Sequence, residues 1–141
     1  MEITANAIQL VNANNDVMFT DTPVPGNPSI INREGSGLVK LRGLTCCQSR
    51  ARFRVFFNGN IAIPAGGTTP QQISLVIALD GEPVNATWMA VTPPGDDQYF
   101  NVAAAIYIDV PAGCCSNISV RNNSAIAINV ANANLIVERV A

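Results

Sequence analysis

Two adjacent cysteine pairs, Cys46-Cys47 and Cys114-Cys115, are the residues of this chain best equipped for chemistry. Four thiols can hold a metal, form disulfides or fill a core. A zinc site ordinarily uses cysteines two residues apart, which aim both sulfurs at one ion. Adjacent residues in a strand point to opposite faces, so chelation suits these pairs poorly. No metal and no cofactor is expected. If strands alternate in direction, both pairs fall at the same end of the fold. A disulfide between one member of each pair is then open, within a subunit or between subunits. The plain alternative is free thiols acting as small hydrophobes, which a reducing compartment favours.

Arg50, Arg52 and Arg54 fall on one side of a strand, a stripe able to grip an anionic glycan or a carboxylate partner. The simpler reading pairs them with Glu34, Asp109 or Glu138, because alternation gives every exposed strand a polar face. Asp80 with Glu82, and Asp96 with Asp97, suggest calcium. All four stand at turn signals, where such residues are expected anyway. Trp88 with Tyr99 and Tyr107 could make a sugar-stacking platform, but core or interface duty suits the few aromatics of this chain better. Histidine is absent, which removes the usual base for a serine or cysteine nucleophile. No two carboxylates are singled out as a glycosidase pair. The chain reads as a non-enzyme.

Composition bounds the setting. Of 141 residues, 48% are hydrophobic and 13% charged, against about 25% charged in an average soluble domain. So few charges leave an unusually neutral surface, the mark of an oligomer or of a part of a larger assembly. The net charge of −2 speaks against a nucleic-acid partner, which calls for a basic field. No apolar run approaches the roughly 18 residues of a membrane span. Met1-Glu2-Ile3-Thr4 lacks the basic and apolar regions of a signal peptide. Sequons at Asn85, Asn117 and Asn122 are read as chance matches.

No segment has helical periodicity. Short apolar runs between turn residues predict about ten strands in one domain. These are Asp16–Thr20, Ser29–Ile31, Gly37–Arg42, Ala51–Ile63, Gln72–Leu79, Val84–Val91, Tyr99–Val110, Cys115–Arg121, Ala125–Val130 and Ala133–Val140. The first two are divided by Thr22–Pro28, whose three prolines cannot lie in a central strand. Ala51–Ile63 alternates, with Phe53, Val55 and Phe57 opposite the arginines, and should stop at Pro64. Gln72–Leu79 is nearly all apolar, as a strand buried on both faces would be. The apolar last strand belongs inside a sheet, since an exposed edge of that kind invites aggregation. Residues 1–15 are read as an amino-terminal arm, ordering on assembly, or a first strand; residues 16–141 form the domain.

A family resemblance rests on three stretches. Ile73-Ser-Leu-Val-Ile-Ala-Leu-Asp-Gly-Glu-Pro-Val84 resembles a strand–turn–strand of the tumour-necrosis-factor and complement globular-head superfamily. Ile108-Asp-Val-Pro-Ala-Gly-Cys-Cys-Ser-Asn-Ile-Ser-Val-Arg-Asn-Asn123 resembles a segment of the heads of bacterial collagen-like surface proteins. Ala131-Asn-Ala-Asn-Leu-Ile-Val-Glu-Arg139 resembles the final strand. In the first half, Asn6–Gln9, Val17–Thr20, Arg33–Gly37 and Leu41–Gly43 are similar to small proteins of gut Firmicutes and their phages. No Gly-X-Y stalk is present.

The resemblance implies an all-β, antiparallel jelly-roll sandwich that forms homotrimers, with Phe56, Tyr99, Tyr107 and Leu135 as interface candidates. It implies a structural role in a phage virion, as a capsid decoration or fibre head, with self and other virion or surface proteins as partners. The expected location is the virion, or the cytoplasm before assembly. The alternative is a carbohydrate- or receptor-binding module that offers Trp88, the arginines and the loops Pro64–Pro70 and Thr92–Asp97.

Overall fold

A computed structural model describes residues 1–32 and 35–141. Twelve strands occur among the described residues: β1 (Glu2–Ala5), β2 (Gln9–Val11), β3 (Asp21–Val24), β4 (Ile30–Asn32), β5 (Val39–Arg42), β6 (Arg50–Ala62), β7 (Ile73–Leu79), β8 (Glu82–Pro83), β9 (Met89–Val91), β10 (Phe100–Pro111), β11 (Cys115–Asn122) and β12 (Ile128–Arg139). They form an antiparallel jelly-roll sandwich of two sheets. The first runs β10-β6-β12-β1-β3, with β2 also paired to β12. The second runs β4-β5-β11-β7-β8, with β9 also paired to β7.

Alternation builds the core. Phe53, Val55 and Phe57 of β6 face inward with Ile108 and Val110 of β10 and Leu135 and Val137 of β12. Val39, Leu41, Leu75, Ile77, Ile118 and Val120 meet them from the second sheet. Ile73 to Ala78 are all buried, as the nearly all-apolar run of β7 requires. β6 ends at Ala62, short of Pro64. β12 lies between β6 and β1, inside its sheet.

Residues 1–15 take the strand alternative, supplying β1 and β2, both paired to β12. The element list differs from expectation in four places, each for a local reason. Val84–Val91 is not one strand: a 3-10 helix at Asn85–Thr87 separates β8 from β9, where the buried Thr87 hydroxyl donates to the Val84 carbonyl at 2.7 Å and accepts from the Ile77 N–H at 2.9 Å. Asp16–Thr20 is not a strand. It makes one bridge, Asp16 to Arg121, and the carboxamide of Gln9 takes both backbone groups of Met18, at 2.8 and 3.0 Å. β3 includes Pro23, which the outermost position of the sheet tolerates. The two strands expected from Ala125 to Val140 are one 12-residue strand. Its asparagines make a bulge, not a turn: the register shifts between Ala131 and Asn134, and Asn132 takes φ 54°, a conformation asparagine tolerates.

That bulge corrects one candidate. A one-residue slip turns every later side chain to the other face. Leu135 therefore points inward opposite Phe57 and is 1% exposed. It is core, and Ile136 takes the outward place opposite Phe56.

Asn122 joins the amino-terminal segment to the sandwich. It is fully buried, and its amide nitrogen donates to the carbonyls of Val11 at 3.0 Å and Ile126 at 2.9 Å. Its side-chain oxygen accepts from the Ser124 N–H at 2.9 Å. A buried amide with these partners is closed to glycosylation at its sequon. Asn122→Ala strands two carbonyls and one N–H, so a loss of about 3 kcal/mol is expected. Thermal and urea melts of the two proteins check this, and a change below about 0.5 kcal/mol would remove Asn122 from this role.

Candidate functional site

The outer face of the first sheet gathers more of the candidate residues than any other surface. Along β6, Phe53, Val55 and Phe57 point in, so Arg52, Arg54, Phe56, Asn58 and Asn60 point out. Register then lays neighbours beside each of them. Phe56 stands between Ala105 and Ile136, with Glu2 beyond Ile136. Arg54 stands between Tyr107 and Glu138, and Arg52 is opposite Asp109. Asn58 stands between Ala103 and Asn134, and Asn60 is opposite Asn101.

Three bands result. The first is amide: Asn101 donates to the side-chain oxygens of Asn58 at 2.6 Å and Asn60 at 3.2 Å, and Asn60 donates to that of Asn132 at 3.3 Å. Asn134 donates to Glu2 at 2.8 Å. The second is apolar: Ala105, Phe56 and Ile136. The third is charged. Arg52 holds Asp109 with two hydrogen bonds, 2.8 and 3.2 Å. Arg50 approaches the same carboxylate at 3.3 Å, and Arg54 meets Glu138 at 3.4 Å while lying 6.0 Å from the centre of the Phe56 ring. Asp109 and Glu138 are two of the partners expected for the stripe; Glu34 lies outside the described residues.

The remaining candidates are dispersed. Tyr107 is 63% exposed at the margin of the apolar band. Tyr99 is half-buried, just ahead of β10. Trp88, 52% exposed, closes a short 3-10 helix between β8 and β9, on the other sheet from the arginines. The two candidate loops are tied together: Gly66 N–H donates to Asp96 at 2.7 Å, and Asp97 N–H to the Ile63 carbonyl at 2.8 Å. Asp80 accepts from the Asn117 N–H at 2.8 Å. Asp96 and Asp80 thus serve backbone donors, and no three His, Cys, Asp or Glu side chains converge on a metal site among the described residues. Cys46, Cys47, Cys114 and Cys115 are free and exposed, so none of the four is a core filler.

Ile136 and the amide band were not among the residues singled out from sequence. The band was within reach. The alternation that placed the arginines continues along the same strand to Phe56, Asn58 and Asn60.

No family of known proteins is matched by sequence, and no curated protein is similar to the chain. Solved structures are similar in fold. The chain resembles the globular domain of zebrafish complement 1qA protein with a TM-score of 0.60 at 11% identity, covering 96% of this chain and 93% of that one. It resembles murine APRIL with a TM-score of 0.66 at 10% identity, covering 99% and 98%. The class is therefore the jelly roll shared by complement globular heads and tumour-necrosis-factor-like proteins, over essentially the whole chain. At such identity the likeness concerns the fold alone.

The charged band has a pH signature. The Arg52 hydrogen bond holds the Asp109 carboxyl below the usual aspartate range, against partial desolvation, with the Arg52 and Arg50 charges adding to the lowering. The pair is complete above the ordinary aspartate pKa and is lost as pH falls through the lowered one. Carbon-detected NMR titration should place Asp109 below the ordinary aspartate range, and Arg52→Gln should return it upward. An Asp109 midpoint that Arg52→Gln leaves in place contradicts the assignment.

Proposed function

We propose that the chain is a non-enzymatic interaction module that assembles as a homotrimer through the outer face and free edge of its first sheet. The observation that carries this is the pairing of an apolar band with a long edge strand that has no strand paired to its outer side among the described residues. β10 is twelve residues long, lies at the end of its sheet, and carries Ala103, Ala105 and Tyr107 outward. A regular apolar edge strand without a partner is a template for aggregation, and proteins cover such edges. Ala105, Phe56 and Ile136 continue the apolar surface inward from that edge. A second copy is the occupant that answers both needs, and the low charge of the chain leaves little repulsion to overcome. Three-fold symmetry follows the resemblance to complement and tumour-necrosis-factor heads. The setting we assign is a phage virion, as a decoration or fibre head, on the sequence resemblance to proteins of gut Firmicutes and their phages.

Light scattering on the purified protein should give the mass of three chains at micromolar concentration. Phe56→Glu places a charge in the centre of the apolar band, outside the core, and should yield a folded protein of monomer mass. A wild-type monomer, or a Phe56→Glu trimer, overturns this reading.

A second reading is favoured by the exposed indole of Trp88, a flat apolar surface suited to stacking on a sugar ring. In this reading the module also binds glycan. A glycan array with the native protein should then show a consistent sugar class, with binding reduced at least about tenfold by Trp88→Ala, the loss of roughly 1.4 kcal/mol. Binding that Trp88→Ala leaves intact rules this site out.

A further inference from the structure

Free cysteine is among the most buried residue types, yet all four here are exposed. They occupy two connections that touch. Cys46 and Cys47 lie between β5 and β6, while Cys114 precedes β11 and Cys115 opens it. Gly43 N–H donates to the Cys114 carbonyl at 2.8 Å, and Gly113 N–H to the Gly43 carbonyl at 3.0 Å. Ala112 N–H donates to the Ser49 carbonyl at 2.9 Å. A Cβ at Gly43 would collide with the carbonyl oxygen of Pro111, so only glycine allows the two connections to lie this close. Both ends of the Cys46-Cys47 loop are thus anchored, and Cys46 through Arg50 stand in solvent.

Within that loop the two sulfurs are 3.0 Å apart. Extended backbone would send adjacent side chains to opposite sides. This loop is bent, and the bend turns both thiols towards each other. A thiol–thiol hydrogen bond is weak and does not hold the loop; the backbone anchors do.

We propose that Cys46 and Cys47 are a redox site that reacts with low-molecular-weight disulfides and closes a bond between adjacent residues. The Cys46 thiolate attacks one sulfur of the small disulfide. A mixed disulfide forms, the original S–S bond breaks, and one small thiolate leaves. The Cys47 thiolate then attacks Cys46 Sγ, forms the Cys46–Cys47 bond and expels the second small thiolate. The protein gives up two protons and two electrons, and the small disulfide takes them to become two thiols. The thiolate is the reactive form. Cys47 holds its proton above the ordinary thiol range through its hydrogen bond to Cys46, with partial desolvation adding to this. Ring closure accelerates as pH rises because the attacking Cys47 must be a thiolate.

Trypsin separates the two pairs. Cleavage after Arg42 and Arg50 puts Cys46 and Cys47 in one peptide, and cleavage after Arg54 and Arg121 puts Cys114 and Cys115 in another. The native protein is incubated with oxidised glutathione, quenched with an alkylating agent, digested and mapped by mass. The expected 43–50 peptide is two hydrogens lighter than its dithiol form and closed to alkylation. Cys47→Ser should accumulate a glutathione adduct on Cys46, about tenfold above wild type, because the resolving thiolate is gone. The double variant Cys114→Ser, Cys115→Ser should close the bond at a rate within about twofold of wild type, since neither residue takes part in the exchange. Stable glutathione adducts on both Cys46 and Cys47 of the wild type, or a cross-link joining the two peptides, overturn the proposal. The readout is peptide mass, so it is independent of the number of chains in the assembly.

Discussion

Strand β6 runs thirteen residues between β10 and β12, and strand geometry allows each of its side chains only two directions. Everything else in the first sheet follows from that choice. Phe53, Val55 and Phe57 take the inward direction and are fully buried. Burying a large apolar side chain is worth about 1.5–3 kcal/mol, so three of them fix the phase of the strand. Arg52, Arg54, Phe56, Asn58 and Asn60 are then outward by necessity. Antiparallel register lays Asp109, Tyr107, Ala105 and Ala103 beside them from β10. The banding of the outer face is the shadow of the core on the other side.

Magnitudes decide which band can bind. An exposed ion pair contributes about 0–1 kcal/mol. Arg52 and Asp109 are 42% and 38% exposed in their side chains, so their value lies in orientation rather than in stability. Asn58, Asn60, Asn101 and Asn132 already bond to one another across the strands and gain little by exchanging those partners. Ala105, Phe56 and Ile136 have no such alternative. Their contact with water is relieved only by an apolar partner. In the proposed assembly, affinity at this face comes from the middle band, and the amide and charged bands set register.

The sequence was informative wherever burial is repetitive. The alternation of Ala51–Ile63, the nearly all-apolar run of Gln72–Leu79 and the stop before Pro64 all correspond to elements of the structure, as does the two-sheet class. It was uninformative where asparagine had two roles with one local signal. Ala131-Asn-Ala-Asn134 reads as a turn because asparagine favours turns and tolerates positive φ. In the structure the same tolerance makes a bulge, because β6 and β1 hold the strand on both sides. Only those tertiary partners decide between the outcomes. The error then propagated: a turn leaves the phase of the last strand open, and Leu135 was placed outside when Ile136 belongs there. The pairing of Gln9 with Met18 was illegible for a related reason, since a side chain stands in for a neighbouring strand.

The cysteines show the limit of strand logic most clearly. Adjacent residues were expected to diverge because extended backbone makes them diverge. That premise holds for Cys115, whose strand is in register with β5. It fails for Cys46 and Cys47, which lie in a bend between β5 and β6. The bend exists because Gly43 and Ser49 are both bound to the connection that carries Cys114, and the intervening chain must turn within the space left between them. The two convergent sulfurs are thus a product of loop closure at the end of the sandwich. The same contact that joins β5 to β11 sets the distance between them, so their chemistry depends on the fold and not on the dipeptide.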